Sequence, residues 1–306
     1  MTPWLTLIGL LTACTGTKTV EDTAQEEETQ DTEDTEDTEE QEESQTVLDL
    51  EPGVNEIFVE QEVEGEMVER SFLVHVSRDF DGSGSTPLLF AFHGAGGNGS
   101  QFIEQYAPSI ESSEFIGVYP NGIENSWNIG REDSKADDVE FVRMMMDLLE
   151  DTPGVDVSKP VGTGFSNGSA LTHKIGIESD LFVAIVPQVS QLLYENQPQP
   201  DGAPLSVMQF MGTEDNACPY EGGIGVLGHD FMPAEESAAT WAAHNGCDET
   251  PTEIDVGAHV KMEWENCSNG RRVIHYRMND IGHEVPPDID GGTNPRIIEF
   301  LLEARQ

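Results

Sequence analysis

Four short runs decide what kind of sheet this chain can build. Residues 87–92 (PLLFAF), 115–119 (FIGVY), 182–186 (FVAIV) and 204–211 (PLSVMQFM) are apolar along almost their whole length. Successive residues of a strand point to opposite faces, so a strand apolar on both faces must be covered on both. Weaker runs at 71–76, 160–164 and 273–276 add strands of the same sheet, and the alternation Val260, Met262, Trp264 reads as another. Helical signals separate them. In 137–149, Val139, Val142, Met146 and Leu149 form one stripe, with Asp137 or Asp138 placed as the cap. Segments 101–106, 167–177, 235–244 and 294–303 supply the other helices. Strands and helices alternating at this spacing predict an α/β fold, with a mostly parallel central sheet and helices on both faces. Ligands of such sheets bind beyond the carboxyl ends of the strands.

The first 48 residues do not fit that scheme. Between residues 21 and 43 there are 14 acidic side chains, no basic one, and Ala24 as the single apolar side chain. Ordering a residue costs about 1–2 kcal/mol, and no apolar burial is available here to offset it. The division expected is 1–13 signal peptide, 14–48 acidic disordered tether, and 49–306 folded domain. The apolar run 4–13 is too short for a bilayer core of about 30 Å but suits a signal-peptide core. Its ending, Leu11-Thr12-Ala13-Cys14, resembles the bacterial lipoprotein processing box. That resemblance makes Cys14 the lipid anchor, and Thr15 after it matches outer-membrane sorting. The expected location is therefore extracytoplasmic, either as an outer-membrane lipoprotein or secreted, with the membrane as partner through acylated Cys14.

Net charge is -45, which repels phosphate backbones and excludes nucleic acid as a partner. No stretch has the spacing of a calcium loop or of a metal-ligand set, and no obligate protein partner is evident. With Cys14 assigned, an odd three cysteines remain, which in an exported protein reads as one disulfide and one free thiol. Cys247 with Cys267 is the expected pair. It closes a loop of 20 residues, worth roughly 3 kcal/mol in the loop-entropy model. Cys218 reads as a small buried hydrophobe.

The chemistry concentrates at strand ends. Gly164-Phe165-Ser166-Asn167-Gly168 is a G-x-S-x-G sequence between a strand and a helix, a spelling that suits a sharp turn presenting a serine hydroxyl. A nucleophilic serine needs a base, and the base needs an orienting carboxylate. In this fold the chain order is Ser, Asp or Glu, His. Of the histidines after Ser166, His283 lies in the loop following the last strand and is the expected base, with His229 second. His173, His244, His259 and His275 fall in helices or strands. The strand ending at 211 runs into Gly212-Thr213-Glu214-Asp215, which makes Asp215 the expected acid and Glu214 the second choice. Oxyanion donors are expected from the N–H of Asn167 and, in the turn His93-Gly94-Ala95-Gly96-Gly97, from Ala95. His93 itself is given a turn-stabilising role. The turn lacks the Gly-Lys-Ser/Thr ending of a phosphate cradle.

Read in order, several segments resemble the family of polyhydroxybutyrate depolymerases and feruloyl and acetyl-xylan esterases, which are α/β-hydrolases. They are Phe92-His93-Gly94, Tyr119-Pro120-Asn121-Gly122, Ser126-Trp127-Asn128, Asp137-Asp138-Val139-Glu140-Phe141-Val142, Thr163 to Gly168, Gly212-Thr213-Glu214-Asp215 with Pro219-Tyr220, Asn245-Gly246-Cys247 and Gly282-His283. The resemblance runs from about residue 71 to 302. It implies a serine esterase without a cofactor, acting on esters of hydroxy acids or of plant cell-wall sugars. Its nucleophile, acid and base fall on Ser166, Asp215 and His283, and its cysteine pair on Cys247 and Cys267. Where the family continues from the base into a tryptophan, this chain has Glu284-Val285-Pro286. Glu284 is therefore expected beside the base at the pocket, and Trp127, flanked by polar Ser126 and Asn128, as its aromatic surface. Two other readings share the scaffold: a secreted serine peptidase, and a surface binding protein that has lost catalysis. Turnover of amide but not ester substrates marks the first. A label-resistant Ser166 with tight glycan or polymer binding marks the second.

Overall fold

The computed structural model of the protein describes residues 47–306. The expected signal peptide, the Cys14 anchor and the tether as far as residue 46 lie outside the described residues. Leu48 packs against the core and Leu50 is buried in it.

The strands are β1 (Gly53–Val63), β2 (Glu66–Val76), β3 (Thr86–Phe92), β4 (Ile116–Pro120), β5 (Val155–Phe165), β6 (Ala184–Gln188), β7 (Ser206–Gly212), β8 (Gly223–Ile224), β9 (Asp230–Phe231), β10 (Thr252–Val256), β11 (His259–Trp264) and β12 (Val273–Met278). The helices are α1 (Ile103–Glu111), α2 (Asp138–Glu150), α3 (Asn167–Glu178), α4 (Ala234–His244) and α5 (Thr293–Ala304). Ten strands form one sheet in the order β1-β2-β4-β3-β5-β6-β7-β12-β11-β10. The six from β4 to β12 run parallel, and an antiparallel pair closes each edge.

β3 shows why the doubly apolar runs settle the architecture. Leu88, Phe90 and Phe92 pack with side chains of α2, α3 and α4, while Leu89 and Ala91 pack with those of α1 and α5. The sheet is thus the middle layer of three. Asp137 caps α2, accepting from Val139 N at 3.1 Å and Glu140 N at 2.9 Å. Asp138 does something else: it is buried, pairs with Arg70 at 2.8 Å and accepts from Asn128 N at 2.7 Å. The disulfide Cys247–Cys267 ties the chain after α4 to the loop after β11, and Cys218 is a buried free thiol.

Connections run from β3 to β4 on one side and from β5 through β6 to β7 on the other. The sheet order therefore reverses between β3 and β5, where two strand ends open a crevice. The register aligns Phe92 with Gly164, so the turn after β3 and the turn after β5 leave the sheet side by side.

Candidate active site

Ser166 sits at the top of β5 with φ 55° and ψ -117°, a strained conformation for a residue with a Cβ. Its N–H is anchored on Gln188 O at 2.9 Å. Both flanking glycines are forced by contact. A Cβ at Gly164 would lie 2.2 Å from Gly168 O, and one at Gly168 would lie 2.1 Å from Phe92 O. The five-residue spelling is thus the packing requirement of a helix starting against two strand ends.

Ser166 Oγ lies 2.8 Å from His283 Nε2, and His283 Nδ1 lies 2.7 Å from Asp215 Oδ2. Asp215 is buried, and its other oxygen accepts from Ala217 N at 2.8 Å and Cys218 N at 2.9 Å. Glu214, the second choice for the acid, faces solvent. The two loops that carry Asp215 and His283 are stitched together: Glu214 N donates to Ile281 O at 2.8 Å and Asp280 N to Thr213 Oγ1 at 3.0 Å. Gly212 is required there, since a Cβ would lie 2.3 Å from Ile281 O. Three residues 117 and fewer positions apart in sequence therefore meet at one rim of the sheet.

A cavity of about 260 Å³ opens beside Ser166 and His283, and Ala95 and Asn167 also line it. Gly96 N donates to Asn125 O and Gly97 N to Gly94 O, whereas the Ala95 N–H has no partner among the described residues. The Asn167 N–H is the first of α3 and has no carbonyl a turn behind it. Both expected oxyanion donors are thus free at the rim of the cavity. His93 serves the turn. Its Nδ1 lies 2.9 Å from Gly94 O and its Nε2 accepts from Gly122 N at 3.1 Å. Burial pushes its pKa down, despite the hydrogen bond to Gly94, so the ring is a neutral strut.

Two pocket expectations are overturned. Trp127 is fully buried; its Nε1 donates to His93 O at 2.8 Å and its ring stands edge-on to Phe92. The polar neighbours that suggested a ligand edge are consumed locally, Asn128 bonding Ala136 O and Gly130 N. Glu284 is exposed and is not part of the cavity wall. The walls are instead built from Ile129, Leu193, Val226, Leu227 and Phe231, with Glu132 and His229 as a polar pair. His229, the second choice for the base, turns Nε2 to Glu132 Oε1 at 3.1 Å. Nothing in the sequence singled out Glu132 among 59 acidic side chains. Cys218 touches the cavity, but burial, and secondarily the Asp215 charge, pushes its thiol up to about 12, which leaves it a packing residue.

No family model matches the chain. Over 229 residues it is 29% identical to feruloyl esterase B of Piromyces equi, covering 70% of this chain and 42% of that protein. Over 232 residues it is 25% identical to feruloyl esterase C of Emericella nidulans, covering 71% and 77%. The chain is thus similar in sequence to feruloyl esterases. Solved structures agree on its α/β-hydrolase fold. The acetyl xylan esterase from Aspergillus awamori aligns with a TM-score of 0.56 at 15% identity, over 76% of this chain and 94% of that one. Thermogutta terrifontis esterase 2, phosphorylated by paraoxon, aligns with a TM-score of 0.52 at 15% identity, over 83% and 92%. The crevice between β3 and β5 is where the described side chains meet.

Proposed function

We propose that the protein is a serine carboxylesterase working through Ser166, His283 and Asp215, on aromatic or short aliphatic acyl esters. The observation that carries this reading is the 2.8 Å contact between Ser166 Oγ and His283 Nε2 beside an apolar cavity. Ser166 Oγ attacks the ester carbonyl carbon while His283 Nε2 takes the hydroxyl proton. Asp215, accepting from Nδ1, holds the ring in the tautomer that leaves Nε2 free to do so. The tetrahedral oxygen collects negative charge that the N–H groups of Asn167 and Ala95 are free to bind; one such donor is typically worth about 3 kcal/mol. The bond to the alcohol oxygen then breaks as His283 returns the proton to it. Water, deprotonated by the same ring, attacks the acyl-serine and releases the acid.

Feruloyl and acetyl-xylan esters, the substrates named by the relatives, and hydroxybutyrate oligomers all fit this chemistry. The wall of Ile129, Leu193, Val226, Leu227 and Phe231 favours an aromatic acyl group over a bare sugar. The Cys247–Cys267 disulfide supports a site of action outside the cytoplasm, and acylation of Cys14 belongs to the same reading.

Ser166→Ala is expected to lower turnover of 4-nitrophenyl acetate by roughly 10⁴-fold and to abolish fluorophosphonate labelling. Full activity in that variant ends the assignment.

A further inference from the structure

Glu132 is a buried carboxylate, 5% exposed, that no step of the proposed chemistry uses. One of its oxygens accepts from Ile129 N at 2.7 Å and Arg131 N at 3.1 Å. The other faces Asn167 Nδ2 at 3.3 Å and His229 Nε2 at 3.1 Å. Burial alone would raise its pKa, but the bonds from His229 and from the backbone outweigh burial and hold it below the usual glutamate range. Asn167 is gripped from the other side as well. Its Oδ1 accepts from Trp127 N at 2.7 Å and Ser126 Oγ at 3.3 Å, and its Nδ2 donates to Trp127 O at 3.0 Å. A side chain this heavily restrained belongs to the residue whose backbone N–H is to bind the oxyanion.

We propose that Glu132 is a positioning residue that acts through the Asn167 side chain to aim the Asn167 N–H, with His229 holding the carboxylate in place across the cavity. The assignment rests on the esterase reading above. Electrostatic stabilisation works only when the donor is already aimed at the oxygen that develops charge, so a donor left to drift loses rate and not affinity. His229 ties the same carboxylate to the cavity wall. Its N–H donates to Val226 O at 3.1 Å and its own carbonyl accepts from Gly225 N at 3.0 Å. One buried charge thereby joins the elbow, the 126–132 loop and the wall.

Glu132→Gln tests this, because it keeps shape and volume but leaves one acceptor where there were two, so an amide N–H must face either Asn167 Nδ2 or the Ile129 and Arg131 N–H groups, donor against donor. On 4-nitrophenyl acetate, kcat is expected to fall about tenfold with KM within twofold of wild type. Asn167→Ala, which keeps the backbone N–H, is expected to show the same split. The double variant is expected to lose no more than Asn167→Ala alone, since coupled sites are not additive. A role confined to stability moves melting temperature but gives neither the kcat-only loss nor the coupling. Additive losses, or a folded Glu132→Gln with kcat within twofold of wild type while Ser166→Ala is inactive, overturn the positioning role alone. Wild-type protein that neither turns over nor labels overturns the esterase reading with it. Should Glu132→Gln not fold, Glu132→Asp withdraws the carboxylate by one methylene and carries the same expectation, and wild-type kcat in it is equally fatal.

Discussion

Two histidines far from the chemistry show how burial fixes protonation. His173 in α3 accepts from Trp241 Nε1 at 3.1 Å, and burial lowers its pKa to about 3. His275 in β12 is held near Gln209 and Tyr220, and burial lowers it to about 4 against a raising pull from Glu235. An unfolded histidine titrates at about 6.5, so the unfolded chain binds these protons first. The sign follows: above pH 6.5 both rings are neutral in both states and cost nothing. As pH falls from about 6.5 toward 4 and then 3, the unfolded state gains protons that the fold refuses, and stability drops. His173→Gln, which keeps an acceptor for Trp241, is expected to flatten the fall in melting temperature between pH 7 and 5; a variant that falls as steeply as wild type refutes it. At this scale the sequence was legible where local spelling forces a geometry. The G-x-S-x-G run and the loop position of His283 could be read because glycine packing and strand-end placement leave few options. Trp127 and Glu132 could not, since burial of a tryptophan or of one carboxylate among many is decided by tertiary neighbours.

Among elements, the turn 225–229 carries the least comfortable residue of the cavity wall. Leu227 has φ 53° and is 65% exposed, a large apolar side chain in a left-handed conformation with little burial to hold it there. Such a conformation costs a β-carbon-bearing residue about 1–2 kcal/mol, and strain of that kind gathers at ligand sites. Leu227→Asn tolerates the backbone better and removes the apolar cover. Melting temperature is expected to hold or rise slightly, while KM for 4-nitrophenyl octanoate rises several-fold and KM for the acetate stays put. Equal KM changes for both esters would show that Leu227 does not contact the acyl chain. The inner strands were readable because both of their faces are apolar. β1 and β10 were not: β1 alternates exposed residues, Glu56, Glu60 and Glu62 among them, with mostly half-buried ones, and β10 is mostly exposed. Charge on an edge strand discourages pairing with another chain, and the same charge hides the strand from a hydrophobic pattern. β1 is joined to β2 by Glu64 and Gly65, both at positive φ, a tight hairpin whose signal rests on two residues.

The whole molecule carries its charge unevenly between pairing and repulsion. Arg70, Arg78, Arg131, Arg143, Lys174, Lys261, Arg272, Arg277, Arg296 and Arg305 all pair with carboxylates. With a net charge of -45, most carboxylates still have no cation to face. Salt acts on these two populations in opposite directions. Exposed pairs contribute about 0–1 kcal/mol each and weaken when screened. Unpaired carboxylates repel across the domain, whose radius of gyration at this length is about 18 Å. The Debye length shrinks from about 30 Å at 0.01 M to about 10 Å at 0.1 M, so screening removes most of the long-range repulsion while neighbouring partners still feel each other. Because the repulsive population is larger, it should win. Raising sodium chloride from 0.01 to 0.5 M at pH 7 is expected to raise the melting temperature by about 5 °C or more, which for a domain of this size corresponds to roughly 2 kcal/mol. The same titration at pH 4, where many carboxylates are protonated, should give a markedly smaller rise. A melting temperature that falls with salt at pH 7 would mean that the exposed ion pairs hold the fold more firmly than the acidic surface loosens it.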